Sequence, residues 1–149
     1  MRIDSPAVLT LFACLYTQAY TGDVFGVWRV NLRRSTNAYN HTVVVRFEPR
    51  RQGEVFTLDV IERDGRSTTS STILYLDGQA RPFDGFGCSG TQLSRKLDHK
   101  RVEILRTCHS GEWISFVRYL SADAKALVIE ITEQHAEGRA QRKLILERE

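Results

Sequence analysis

The sequence predicts an all-β protein, an antiparallel, up-and-down (meander) barrel of about eight to ten strands. Turn residues recur at short, even intervals from Gly26 onward, and apolar residues alternate with polar ones between the turns. No helical period of apolar residues interrupts this pattern. Asp-Gly between two alternating runs is a strong hairpin signal, and it occurs at Asp64-Gly65 and again at Asp77-Gly78.

Ten segments between the turns have the length and composition of β-strands. Each is bounded by Gly, Asn, Asp or Ser, the residues that turns favour. Closing such a sheet removes both of its unpaired edges, so we expect a closed barrel. The predicted strands, in chain order, are 27–33, 41–48, 54–62, 67–76, 79–83, 91–97, 101–108, 112–120, 126–132 and 140–147.

Alternation also predicts which side chains share the inner face of the barrel. Successive side chains on a strand point to opposite faces, so residues two apart point the same way. Two arginines, Arg106 and Arg118, fall in phase with inward apolar residues. The apolar residues of this predicted inner face are Val43, Val45, Phe47, Phe56, Leu58, Val60, Ile114, Phe116, Leu120, Leu127, Ile129 and Ile131.

The first part of the chain differs in composition from the rest. The run 7–16 is apolar, has the length of a signal-peptide core and is too short to span a bilayer, and a small residue, Ala19, follows it. We therefore assign 1–19 to a signal peptide and 20–149 to a single barrel domain of a secreted or periplasmic protein. Two alternatives stay open: an ordinary N-terminal strand or helix, and a lipoprotein in which Cys14 becomes the lipidated first residue.

Cleavage after Ala19 would leave two of the three cysteines, Cys88 and Cys108. Two cysteines in an oxidising compartment predict one disulfide. The alternative is a pair of free thiols in a cytosolic protein. No C-x-x-C or H-x-x-x-H spacing occurs, so the sequence predicts no metal site, and no motif indicates a cofactor.

The distribution of charge argues against nucleic acid as a partner. The formal net charge is +3 at pH 7, and Lys and Arg are scattered among Asp and Glu along the whole chain. A basic stripe that could follow a phosphate backbone is therefore not expected. No apolar run is long enough to predict a membrane-spanning helix.

Several short segments together resemble a known family. They are 26–35, which contains Gly26-Val27-Trp28, and 76–78, 82–85, 92–98 and 118–127. These residues resemble a group of small secreted bacterial proteins with a lipocalin-like fold and no established activity. The resemblance covers most of the chain after residue 24 and implies a barrel, without implying a particular ligand.

The resemblance also implies structural roles for Gly26 and Trp28. In lipocalins generally this tryptophan closes one end of the barrel beneath an arginine from near the last strand, and Arg139 or Arg142 has about the right position here. Ala124 departs from the pattern, because the family's turn usually carries glycine there. The lipocalin signature later in the chain is absent, and the connection 34–40 is too short for the helical lid of fatty-acid-binding proteins.

The two inward arginines carry the most specific hypothesis about binding. A guanidinium inside an apolar barrel is costly unless it is paired. Arg106 and Arg118 therefore favour a ligand with a carboxylate or phosphate head and an apolar body. The alternative is that one or both lie at the barrel rim, or pair with Asp59 or Glu103.

The sequence does not indicate an enzyme. Cys108 and His109 are adjacent on a strand and point to opposite faces, so they cannot form a simple nucleophile and base pair. Glu130 and Glu133 flank a strand end and are explained by a solvated surface. The histidines, which lie in or beside predicted turns and are expected to face solvent, are His41, His99, His109 and His135.

These observations predict non-catalytic binding of a small lipophilic, or amphiphilic anionic, ligand inside the barrel. The alternative is a solidly packed barrel that serves as a protein–protein interaction module of the cell envelope. Inward Phe47, Phe56 and Phe116 together could fill a small barrel, whereas ten strands enlarge the lumen. The predicted ligand-binding residues are Phe56, Leu58, Val60, Arg106, Ile114, Phe116 and Arg118.

Overall fold

The fold consists of strands joined by short connections. A computed structural model describes residues 23–149, and in that range it contains ten β-strands and no helix. The predicted signal peptide and Cys14 lie outside the described residues. The strands are β1 Gly26–Val30, β2 Thr42–Pro49, β3 Glu54–Ile61, β4 Ser67–Leu74, β5 Arg81–Gly85, β6 Cys88–Lys96, β7 Val102–Cys108, β8 Trp113–Leu120, β9 Ala126–His135 and β10 Gly138–Arg148.

The strands form one antiparallel sheet that curls into a nearly closed barrel. Its strand order is β4-β3-β2-β1-β10-β9-β8-β7-β6-β5, so consecutive strands are neighbours except β4 and β5, and the first strand pairs with the last. That closing pair aligns Trp28 with Arg148 and Val30 with Leu146. The predicted all-β, up-and-down barrel is confirmed, and each of the ten predicted strands corresponds to an observed one.

The two Asp-Gly turns behave differently. At Asp64-Gly65 the β3–β4 hairpin forms as predicted, with Glu62 N donating to Arg66 O at 2.8 Å. The hairpin predicted at Asp77-Gly78 is wrong, because β4 and β5 do not pair. Gly78 N instead donates to the backbone oxygen of Ser94 at 2.8 Å, so this connection lies along β6.

The expectation of a fully closed sheet is therefore wrong at one place, the seam between β4 and β5. Side chains cross this seam without a backbone ladder: Gln92 Nε2 donates to Thr72 Oγ1 at 3.1 Å. A β-carbon added to Gly85 of β5 would lie 3.1 Å from Ser70 Oγ of β4. Pro82 sits in β5, where an unpaired edge tolerates a residue that has no N–H to donate.

Trp28 plugs the end of the barrel at which the chain enters β1. Its side chain is fully buried, and its indole N–H donates to the backbone oxygen of Val24 at 2.8 Å. The guanidinium carbon of Arg148 lies 4.2 Å from the centre of the indole ring. The arginine expected over this ring was Arg139 or Arg142, and that expectation is wrong, because those two stack on Trp113 and Tyr39.

The position of Arg148 over Trp28 also requires a glycine at position 26. Its φ is +120°, and an added β-carbon would lie 3.0 Å from Nη1 of Arg148. That nitrogen donates to the backbone oxygen of Phe25 at 2.7 Å, while Nη2 donates to that of Asp23 at 2.6 Å. The predicted structural roles of Gly26 and Trp28 thus have a physical basis, with Arg148 binding the chain that precedes β1.

Apolar side chains from most of the strands fill the half of the barrel next to Trp28. Phe47 stacks on Phe56 with ring centroids 5.0 Å apart. The predicted inner face is confirmed, and the buried core residues missing from it come from β1, β4, β7 and β10. The fully buried members of this core, with less than 2% exposure, are Trp28, Val45, Phe47, Leu74, Ile104, Leu127, Leu144 and Leu146.

The predicted disulfide between Cys88 and Cys108 is present and joins the start of β6 to the end of β7. Both cysteines lie close to the β5–β6 and β7–β8 turns, at the end of the barrel opposite Trp28. In residues 23–149 no helix has the length and apolar character needed to cross a membrane.

Candidate functional site

A cavity of about 380 Å³ occupies the half of the barrel opposite Trp28. The β1–β2, β3–β4, β5–β6 and β7–β8 connections contribute lining residues, and so does the end of β9. Six of the seven predicted ligand-binding residues line it: Phe56, Leu58, Val60, Arg106, Ile114 and Phe116. Their neighbours on the inner face are also mainly apolar, including Val43, Val45, Ile129, Ile131 and Leu144.

Arg106 is the polar group deep in this cavity, and its residue is only 3% exposed. Its Nε donates to Oε1 of Gln92 at 2.9 Å, and its guanidinium carbon lies 4.1 Å from the ring centre of Phe83 and 5.2 Å from that of Phe116. Among residues 23–149 it forms no ion pair. Burial lowers the pKa of Arg106 to about 10, so the side chain keeps its positive charge at neutral pH.

Arg118, the seventh predicted residue, does not line the cavity. Its Nη2 lies 2.7 Å from Oε1 and 2.6 Å from Oε2 of Glu54, and its guanidinium carbon lies 4.2 Å from the ring centre of Phe47. This pair belongs to the filled half of the barrel. Burial lowers the pKa of Arg118, while the charge of Glu54 and its hydrogen bond oppose the shift.

The partners suggested for the inward arginines, Asp59 and Glu103, are also wrong. Asp59 accepts a hydrogen bond from Thr69 Oγ1, and Glu103 pairs with Arg95. The prediction missed Glu54, although Glu54 is in phase with Phe56 and so points inward. The alternation along β3 was the sequence signal that could have revealed Glu54. The two interior arginines therefore differ in their partners: Arg118 has a carboxylate and Arg106 has an amide.

A cluster of polar side chains lies at the mouth of the cavity, and we call Tyr39, Glu112, Glu133, His135 and Arg142 the mouth cluster. Tyr39 donates its hydroxyl proton to Oε1 of Glu133. Glu133 Oε2 lies 3.0 Å from His135 Nε2, and Oε1 lies 3.6 Å from Arg142 Nε. His135 Nδ1 lies 3.7 Å from a carboxylate oxygen of Glu112. Charges of opposite sign therefore lie side by side in this cluster, although Nε of Arg142 forms no hydrogen bond.

The mouth cluster corrects the expectation of a solvated Glu133. That residue is 6% exposed and lines the cavity, in phase with Ile131 and Ile129 of the same strand. His41 and His135 also line the mouth, and the ring of His41 stacks on Tyr39 at 5.0 Å. The expectation that the histidines simply face solvent therefore misses the role of these two.

The protonation states of the mouth cluster follow from its contacts. Burial raises the pKa of Tyr39, and the hydrogen bond to Glu133 raises it further. Burial opposes ionisation of Glu133, but hydrogen bonds from His135 and Tyr39 and the charge of Arg142 outweigh it and lower the pKa of Glu133. The hydrogen bond to Glu133 raises the pKa of His135.

Within residues 23–149 no group of three or more His, Cys, Asp or Glu side chains has an arrangement that could hold a metal ion. The polar and charged side chains that line the cavity are those of Arg106, His41, Glu62 and four members of the mouth cluster, Tyr39, Glu112, Glu133 and His135. The arrangement offers an apolar space with a positive charge at depth and a mutually paired set of groups at its entrance.

Comparison with known proteins identifies the fold. The fatty-acid-binding protein of Schistosoma mansoni in complex with arachidonic acid superposes with a TM-score of 0.58 over 84% of this chain and 95% of that one, at 11% identity. The chain has a lipocalin-like barrel of the fatty-acid-binding-protein type. Zebrafish ileal bile acid-binding protein complexed with cholic acid superposes with a TM-score of 0.56 at 12% identity, over 84% of this chain and 98% of that one.

No protein-family model and no curated protein matches the sequence. The lipocalin-like part of the resemblance is therefore supported by structure, and at 11–12% identity the likeness concerns the fold alone.

Proposed function

We propose that the protein binds, without catalysis, a small molecule that has an apolar body and an anionic head. The observation that carries this proposal is Arg106: a buried guanidinium in an apolar cavity whose described partner is a neutral amide. A charge taken out of water without a counter-charge is costly, and a ligand carboxylate or phosphate would supply that counter-charge.

The apolar walls define the other half of the ligand. The space of about 380 Å³ is lined by Val, Leu, Ile and Phe side chains, which favour a hydrocarbon body. A carboxylate on Arg106 would be well shielded from water, and this strengthens the ion pair. The structural neighbours are complexes with arachidonic acid and cholic acid, and these two carboxylic acids support the proposed ligand class.

A solidly packed interaction module is the less favoured function. Phe47 does fill its half of the barrel, as that alternative requires, but Phe56 and Phe116 border open space. An internal cavity contributes nothing to contacts made by an outer face. We therefore put forward ligand binding alone.

The first experiment compares Arg106→Gln with Arg46→Gln. Both variants lose one positive charge, but Arg46 lies on the exposed face of β2. Binding of dodecanoate by isothermal titration calorimetry should weaken about 10- to 100-fold in Arg106→Gln, because a charge-assisted hydrogen bond is lost. Arg46→Gln should match the wild type. Equal affinity in all three proteins would contradict the role of Arg106.

Native mass spectrometry of the protein purified from its own host tests the proposal without assuming a ligand. The mass before and after organic extraction should differ by a stoichiometric lipophilic acid. A protein that is empty, and that also binds no dodecanoate, would overturn the proposed function.

We also infer that the protein works outside the cytoplasm. The disulfide between Cys88 and Cys108 supports this, because stable disulfides are typical of oxidising compartments. The apolar N-terminal run supports it too. The same intact mass should show a chain that begins after Ala19; a full-length chain with reduced thiols in the cytoplasm would contradict the inference.

A further inference from the structure

The two interior arginines have partners of different charge. Arg118 lies against the carboxylate of Glu54, and this pair has no net charge. Arg106 lies against the amide of Gln92, and this pair keeps one positive charge. Both arginine residues are 3% exposed, so burial does not distinguish them. The difference between Glu and Gln at these two positions decides which arginine remains electrostatically available.

A contact across the seam holds the Gln92 amide in a fixed orientation. Its Nε2 donates to Thr72 Oγ1 of β4 at 3.1 Å, and its Oε1 accepts from Arg106 Nε at 2.9 Å. The reversed amide would point N–H groups at the guanidinium, which has no acceptor atom. Gln92 is itself 7% exposed, so water does not replace these bonds freely. The seam therefore presents a neutral acceptor to Arg106.

We propose that Gln92 is the residue that makes the cavity selective for an anionic head. It holds the Nε edge of Arg106 and leaves the Nη groups, with their uncompensated charge, for the ligand. This inference rests on the proposed function and deepens it, because it assigns discrimination between a carboxylate and an alcohol of the same chain length. A glutamate here would supply the counter-charge internally, as Glu54 does for Arg118.

The test uses Gln92→Glu, which is nearly isosteric, with dodecanoate and dodecan-1-ol as the two probes. Calorimetric dissociation constants of the wild type should favour dodecanoate. In Gln92→Glu the affinity for dodecanoate should fall about 10- to 100-fold, because the new carboxylate at position 92 already neutralises the charge of Arg106. The affinity for dodecan-1-ol should stay within about threefold of the wild type, because an alcohol carries no charge to be repelled.

Two further variants separate charge from packing. Gln141→Glu makes the same chemical change on an exposed position of β10 and should leave both dissociation constants unchanged. Gln92→Leu removes the acceptor that holds the Nε edge of Arg106 without adding charge, so the preference for dodecanoate over dodecan-1-ol should weaken. If Gln92→Glu does not fold, as judged by circular dichroism, Gln92→Leu decides: an unchanged carboxylate preference there would overturn the proposal.

The outcomes distinguish the two levels of inference. A wild type that binds neither probe would overturn the proposed function and the role of Gln92 together. A wild type that prefers dodecanoate, with a folded Gln92→Glu variant that prefers it equally, would overturn the role of Gln92 and leave the proposed function standing. A reversed preference in Gln92→Glu alone would support the proposal.

Discussion

Replacing Arg118 by Gln tests whether the interior ion pair is a structural element rather than a part of the ligand site. The substitution leaves Glu54 without its counter-charge in the filled half of the barrel. The two side chains are 4% and 10% exposed. An uncompensated charge at such a position cannot recover its hydration, so the folded state loses stability.

The expected magnitude follows from that burial. Removing one partner of a buried ion pair costs about 3–5 kcal/mol, whereas an exposed pair is worth about 0–1 kcal/mol. Domains of this kind have a free energy of unfolding of about 5–15 kcal/mol, so Arg118→Gln should remove a large part of it. The double variant Glu54→Gln with Arg118→Gln leaves no unpaired charge. It should be more stable than the sum of the single losses predicts, by about 1–3 kcal/mol.

Urea denaturation followed by tryptophan fluorescence would measure these losses in the wild type, both single variants and the double variant. Far-UV circular dichroism of the same samples should give unfolding curves that coincide with the fluorescence curves, which checks two-state unfolding. The double variant should bind dodecanoate with wild-type affinity, because Arg118 does not line the cavity. Single losses of less than about 1 kcal/mol, or losses that simply add, would refute the reasoning.

Three further predictions concern stability and pH. Replacing both Cys88 and Cys108 by Ser should lower the free energy of unfolding by about 3 kcal/mol, measured by urea denaturation, because the bridge spans a separation of 20 residues; no loss would contradict this. Ala124→Gly should raise the melting temperature by about 2–4 °C in calorimetry, since the φ of Ala124 is +58°; a lower melting temperature would contradict this. NMR titration should place the pKa of His135 above its usual value of about 6.5, and Glu133→Gln should lower it; an unchanged pKa in that variant would contradict this. His135 therefore contributes stability that is complete below about pH 6.5 and is lost as the pH rises through its folded-state pKa.

Local pattern was sufficient to predict the strands and the inner face of the barrel. Alternation at Phe56, Leu58 and Val60 fixes which side points inward, whatever the rest of the chain does. The same argument applied to Glu54 and Glu133 would have placed both carboxylates inside. From the sequence, Glu133 is interpreted as solvated because it lies near a strand end, and Glu54, the first residue of a predicted strand, is assigned no face.

Pairings between distant residues could not be predicted from spacing. Arg118 and Glu54 are 64 positions apart, and their contact depends on how the whole sheet curls. The arginine over Trp28 was misplaced by several residues for the same reason, because the register of β1 against β10 selects Arg148. Asp77-Gly78 has the residue types that favour a hairpin turn. Pro82 in the next strand is nevertheless a local sign that this strand lies at an unpaired edge, because proline has no N–H to donate.

At the seam the order of strands in the chain differs from their order in the sheet, because β4 and β5 follow one another in sequence but do not pair. The stretch 75–80 is the one connection between strands, within residues 23–149, that joins two strands which do not pair. The strands that pair across the longest sequence separation are β1 and β10, so during synthesis Trp28 stays uncovered until Arg148 has been added. A circular permutant with its new ends in 75–80 and its old ends joined would make every sheet neighbour a neighbour in sequence. In that order the barrel could grow strand by strand as the chain emerges, without waiting for its last residues.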